Sequence, residues 1–158
     1  MESYTDKTAE VEIVHLWDGR SEATGEVARL RVSYPEFESL EYSEEILSSW
    51  RVQLAVREHL QEFVNRRLGE FSISAQDVEV RPGSLTIGVI LAAAVVFVKD
   101  YPKIREGVLQ LVKDLRAAAE RISATVRGAA SEEKAEQERE REREGKKKTQ
   151  VQRSSGSG

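Results

Sequence analysis

Pro82-Gly83-Ser84-Leu85-Thr86-Ile87-Gly88-Val89-Ile90-Leu91-Ala92-Ala93-Ala94-Val95-Val96-Phe97-Val98 is a run of 17 uncharged residues between Arg81 and Lys99, in a chain that is 33% charged. Pro82-Gly83 has turn chemistry, proline presetting φ and glycine tolerating a positive one. Leu85, Ile87 and Val89 then alternate with Thr86, Gly88 and Ile90, which predicts a strand over 84–90. From Leu91 the pattern changes. Ala92-Ala93-Ala94 favours helix, and Val95-Val96-Phe97-Val98 is apolar on every side, as a helix is when it lies wholly in a core or in lipid. A bilayer-spanning helix needs about 20 apolar residues, with a lower limit near 17. The run reaches that limit only if Pro82, Gly83 and Ser84 are counted. Leu91, Val95, Val96, Phe97 and Val98 are therefore the candidate membrane or core segment.

Upstream, Val11, Ile13, His15 and Trp17 alternate with Glu12, Val14 and Leu16, and predict a first strand. Asp18-Gly19 opens a turn. A second strand follows over 26–34, with Ala28, Leu30, Val32 and Tyr34 on one face and Arg29, Arg31 and Ser33 on the other. Antiparallel pairing of the two is the simplest topology. Pro35 ends the strand. Ser43, ahead of Glu44 and Glu45, suits a helix start, a hydroxyl cap followed by carboxylates at the positive end of the dipole. Trp50, Leu54, Val56, Leu60, Phe63, Val64 and Leu68 then mark the apolar side of a long helix, broken near Ser48-Ser49 and stopped at Gly69. Val78 and Val80 belong to a third strand.

Downstream, Tyr101-Pro102 interrupts the chain and Pro102 is placed to begin a helix. Ile104, Val108, Leu111, Leu115 and Ile122 repeat at helical steps, with Ala118 and Val126 in the same stripe. This heptad-like seam is the candidate oligomerisation surface. Residues 131–145 alternate Glu and Arg, whose i,i+3 pairs attract and whose i,i+4 pairs repel. With Lys146-Lys147-Lys148 and the Ser/Gly end they predict a charged, largely disordered tail. The fold class is α+β: a small antiparallel sheet of about four strands packed on a long helix, then an apolar helix and an extended charged C-terminal helix. The expected divisions are an acidic α/β domain over 1–91, the apolar segment and amphipathic helix over 92–130, and the tail over 131–158.

The charge is uneven. Residues 1–80 carry 17 acids against 8 bases, residues 81–130 carry 8 bases against 4 acids, and the net charge is −4. An acidic front half repels phosphate backbones, which argues against a nucleic-acid partner. The chain has no cysteine and only two histidines, His15 and His59, so thiolate zinc sites, disulfides and His-pair metal motifs are excluded. No glycine-rich phosphate loop and no nucleophile–base pattern is present. The expectation is no enzyme, no cofactor and no metal. His15, His59, Trp17 and Trp50 are expected to serve in or at the edge of the core.

Gly83-Ser84-Leu85-Thr86-Ile87 in a hairpin, after a helix opened by Tyr42-Ser43-Glu44-Glu45, resembles the SEA domain over about residues 26–91. The resemblance implies a ferredoxin-like α/β sandwich, often found beside membrane segments. In the members that cleave themselves, a serine hydroxyl attacks the preceding carbonyl, and here that bond would be Gly83–Ser84.

Met1-Glu2-Ser3-Tyr4-Thr5-Asp6-Lys7 lacks the basic and apolar regions of a secretory signal. The functional expectation is a non-enzymatic module associated with a membrane from its cytoplasmic side. It would self-associate through its C-terminal helix as an effector or channel-like assembly, with lipid and further copies of itself as partners. The alternatives are a soluble cytoplasmic adaptor or oligomerisation domain with 85–98 buried, and a self-cleaving module cut at Gly83–Ser84.

Overall fold

The computed structural model describes residues 9–34, 42–82 and 85–155, with side chains as far as Thr149. Four strands, β1 (Glu10–Leu16), β2 (Ala23–Tyr34), β3 (Ser74–Arg81) and β4 (Leu85–Val96), form one antiparallel sheet in the order β1-β2-β4-β3. Four helices accompany it: α1 (Glu44–Leu47), α2 (Trp50–Leu68), α3 (Tyr101–Ala117) and α4 (Ala119–Ser155). The chain is α+β, as its patterning predicts.

The run that begins at Leu85 stays in the sheet as far as Val96. The apolar helix expected from Leu91 is thereby corrected to the second half of a 12-residue strand. Two partners impose this. The outer half of β4 pairs with β2 through Ala92–Glu26, Ala93–Gly25 and Val96–Ala23, and with β3 through Ala92–Ser74 and Leu91–Ala75. Leaving the sheet at Leu91 would strand those backbone groups. Leu91, Ala92 and Ala93 are buried in succession, so this half of β4 lacks the alternation that β2, also flanked on both sides, retains. The expected division between residues 91 and 92 thus falls inside β4. Among the described residues no helix is long and apolar enough to cross a membrane.

One face of the sheet, including Leu30, Val32, Leu85, Ile87, Val89 and Leu91, packs against the helices in a single core that continues through Val126 to Ala130. From α2 come Val52, Val56, Leu60, Phe63, Val64 and Leu68. From α3 come Ile104, Val108, Leu111 and Leu115, and from α4 Ile122, all at most 1% exposed. The stripe expected to join subunits is therefore consumed inside this chain. It was legible as a stripe, but periodicity identifies a face and not what covers it.

The break at Ser48-Ser49 is real. Ser43 caps α1 by accepting from the Ile46 N–H, and Ser49 caps α2 by accepting from the Val52 N–H. The stripe from Pro102 onward is also divided, because the chain leaves helical geometry at Ala118 (φ −95°, ψ 12°). Past Ala130 the expected disordered tail is corrected to helix, since α4 runs 37 residues to Ser155. At 1.5 Å per residue that is roughly 55 Å. Glu, Arg, Lys, Gln and Ala are strong helix formers, and Arg139 pairs with Glu136 at 3.2 Å. Gly83 and Ser84, the expected cleavage bond, lie outside the described residues.

Candidate interaction surface

The sheet's other face is wet and already neutralised. Glu12 pairs with Arg31 at 3.2 Å, and Glu26 holds both Arg29 at 2.7 Å and His15 at 2.9 Å. Both sheet edges are guarded over part of their length. On β1 the ladder is interrupted between Ile13 and His15, and the Arg116 guanidinium of α3 reaches the Val11 carbonyl at 3.5 Å. On β3 it is interrupted between Gln76 and Glu79, where Asp77 takes φ +48°. Bulges and charges of this kind discourage edge-to-edge pairing.

The side of α2 turned away from the core is different. Trp50, the first residue of the helix, is 77% exposed. The expectation that it belongs to the core is thereby corrected. Val52 is buried, and a residue two positions earlier on a helix points about 200° away from it. That spacing is visible in the sequence and could have identified Trp50 as outward. Two hollows adjoin the tryptophan, and a third continues one of them along α2. One, of about 410 Å³, lies between α2 and α4 and is lined by Trp50, Arg51, Leu54, Ala55, Glu58 and Glu133. Two more, of about 210 and 540 Å³, share Arg57 and Asp77 and form a trough between α2 and the edge strand β3. Trp50, Leu54 and Val78 line its upper part, and Gln61, Ser74 and Ala75 its lower part.

Neighbouring groups fix the walls. Arg51 bridges to Glu133 at 3.1 Å and Glu132 at 3.4 Å, joining the first turn of α2 to α4. The hydrogen bond that Arg51 donates to Glu133 leads the effects that hold the Arg51 guanidinium above its usual pKa. The Tyr42 and Ser131 hydroxyls meet at 2.8 Å beside it. The Gln61 amide spans the gap to β3, its Oε1 accepting from the Ala75 N–H at 2.7 Å and its Nε2 donating to the Ile73 carbonyl at 3.2 Å. Arg57, Glu58 and Asp77 form no ion pair within 4 Å among the described residues, and leave one carboxylate in excess. Nothing in sequence spacing links Gln61 to Asp77, since the α2–β3 turn alone brings them together.

The other residues singled out from the sequence are dispersed. Leu91 and Val96 are core, whereas Val95, Phe97 and Val98 are 39%, 45% and 45% exposed at the end of β4, with the Lys99 ammonium 6.0 Å from the Phe97 ring centre. Trp17 is buried, donates to the Ser21 carbonyl at 2.8 Å and meets Tyr101 edge-on. The His59 Nδ1 sits 2.8 Å from the Thr125 hydroxyl, which is also 3.1 Å from the Arg121 carbonyl. The Tyr34 hydroxyl is buried without a partner among the described residues, and burial pushes its pKa well above the usual phenol range. No cluster of three acidic or histidine side chains able to hold a metal occurs among the described residues. Comparison with protein-family models, curated proteins and solved structures finds no match.

Proposed function

We propose that the chain is a non-enzymatic adaptor module that binds a segment of another protein along the outer side of α2. The exposure of Trp50 carries this reading. A tryptophan buries 150–250 Å² when covered and is, with tyrosine and arginine, among the residues enriched as interface anchors. This one projects from a capped first turn beside a preformed trough, so little ordering cost attends its burial. The polar rim of Arg57, Glu58 and Asp77 supplies register around an apolar centre of Trp50, Leu54 and Val78, the arrangement of a small interface.

A selection of random displayed peptides on the full chain, counter-selected on Trp50→Ala, tests it. Enriched peptides that bind the wild type and blue-shift its tryptophan emission support the adaptor reading. Enrichment of peptides indifferent to Trp50, or none at all, overturns it.

A second reading, contact with a membrane surface, rests on the exposed Val95, Phe97 and Val98. Finishing the burial of three half-exposed side chains supplies about 3 kcal/mol, which alone corresponds to binding weaker than about 1 mM. Stable peripheral anchoring takes a second signal, and the adaptor reading is preferred for that reason.

A further inference from the structure

Given the adaptor reading, the geometry points to the form of the partner: we infer that it binds as a short extended strand added to the outer edge of β3, displacing the Gln61 amide and placing a basic side chain against Glu58 and Asp77.

The inference begins with hydrogen-bond direction. Ala75 stands opposite Leu91 in the β3–β4 ladder, but its N–H is taken by Gln61 on the far side. In an antiparallel ladder, residues alternate between those that bond to the partner strand and those whose peptide groups face away. Ala75 is of the second kind, so its N–H faces the trough, as does the Ile73 carbonyl that Gln61 also holds. The side-chain amide accepts from one and donates to the other, which are the two bonds a neighbouring strand would make there. Gln61 thus occupies a strand's place with a single, exchangeable group, further steadied by Asn65 at 2.8 Å.

Length and chemistry agree. From Trp50 to Gln61 along α2 is roughly 17 Å at 1.5 Å per residue, the span of about five residues of strand. The positive φ of Asp77 breaks the edge, so backbone pairing is confined to the Ile73–Ala75 end, and the other end offers Trp50, Leu54 and Val78 to an alternate side chain. Addition of a strand to a sheet edge takes affinity from main-chain bonds and specificity from side-chain pockets. The carboxylate excess selects a lysine or arginine, which can also lie over the Trp50 ring.

The probe is a peptide recovered by the Trp50-dependent selection, titrated into the ¹⁵N-labelled full chain and into Gln61→Ala. Three results are expected: alternating apolar and basic residues in the peptide, slowed exchange of the Ala75 amide on binding, and affinity several-fold higher for Gln61→Ala because no amide has to be displaced. A peptide that binds through Trp50 as a helix, leaves Ala75 exchange unchanged and is indifferent to Gln61→Ala overturns the strand but leaves the adaptor reading standing. Failure of the selection itself overturns both. If Gln61→Ala is too unstable to titrate, Gln61→Glu retains the acceptor for Ala75 and loses the donor to Ile73. Unchanged wild-type Ala75 exchange then overturns the inference by itself.

Discussion

Arg67 of α2 and Asp114 of α3 meet in a two-pronged pair, Nε to Oδ2 at 2.7 Å and Nη2 to Oδ1 at 3.0 Å. The hydrogen bond from Arg67 is the largest influence on Asp114 and holds its carboxyl below the usual range, against a smaller opposing effect of burial. A carboxyl whose pKa falls on folding stabilises the native state above its unfolded value, here 3.8, and the contribution is lost as pH drops through the folded value. Asp114→Asn should therefore unfold at lower urea than wild type at neutral pH, by a small margin because both groups meet solvent. The gap should close in acid below that range. A gap that widened on acidification would refute the assignment.

Gly107 brings the same two helices close. A Cβ there would lie 2.5 Å from Leu68 Cδ2 and 2.9 Å from the Arg67 carbonyl oxygen. The carbonyl cannot yield without moving α2, so Gly107→Ala should cost about 1–3 kcal/mol. Thermal melts read this as roughly 2–4 °C per kcal/mol for a chain of this size. A neutral or stabilising effect would mean that the helices pack further apart.

The buried stripe of α3 and the exposed end of β4 answer the same substitution oppositely. Leu111→Ala removes a side chain 1% exposed and should cost about 2–5 kcal/mol. Phe97→Glu changes a side chain 45% exposed and should alter stability by less than about 1 kcal/mol. If Leu111→Ala instead left the melting temperature unchanged and only lowered a sedimentation mass, the stripe would be an intersubunit seam after all. Vesicle co-sedimentation of Phe97→Glu bears on the membrane reading separately. Binding by wild type that this variant loses would favour it, and no binding by either removes it.

These contrasts show where sequence patterning carries and where it stops. Ser43 was legible as a cap because a cap is a local contract between a hydroxyl and an N–H three residues on, whereas Ser48-Ser49 was legible only as a break and Ser49's capping of α2 was not read. The alternation of Val11–Trp17 and of Ala28–Tyr34 gave two strands, with β2 extended to Ala23 by pairing with Val96. Leu91–Val96 was not legible as strand, because a segment apolar on both faces has no period and only its partners β2 and β3 decide. The α3 stripe was legible, but its covering was not, since Leu68 meets Gly107 at a sequence separation of 39. Of the candidate site, Trp50 could have been placed outward from its offset to Val52. Gln61 and Asp77 could not, because their meeting depends on the tertiary course of β3.

The distal half of α4 provides a last case, in which local propensity should act without the core. Gly145 lies within this helix, and a Cβ there would meet nothing within 4 Å. Glycine in a helix interior costs about 1 kcal/mol relative to alanine, and past Ala130 no described side chain of α4 belongs to the core. Helical order around Gly145 therefore rests on propensity and on exposed pairs such as Glu136–Arg139, which contribute only a few tenths of a kcal/mol each. Gly145→Ala should raise the far-ultraviolet helical signal and slow amide exchange over residues 139–149, while leaving the cooperative melting temperature within about 1 °C because the globular core is untouched. A parallel rise in melting temperature would mean that this half of α4 packs on the domain. No gain in helical signal would mean that residues 131–155 are not helical in solution.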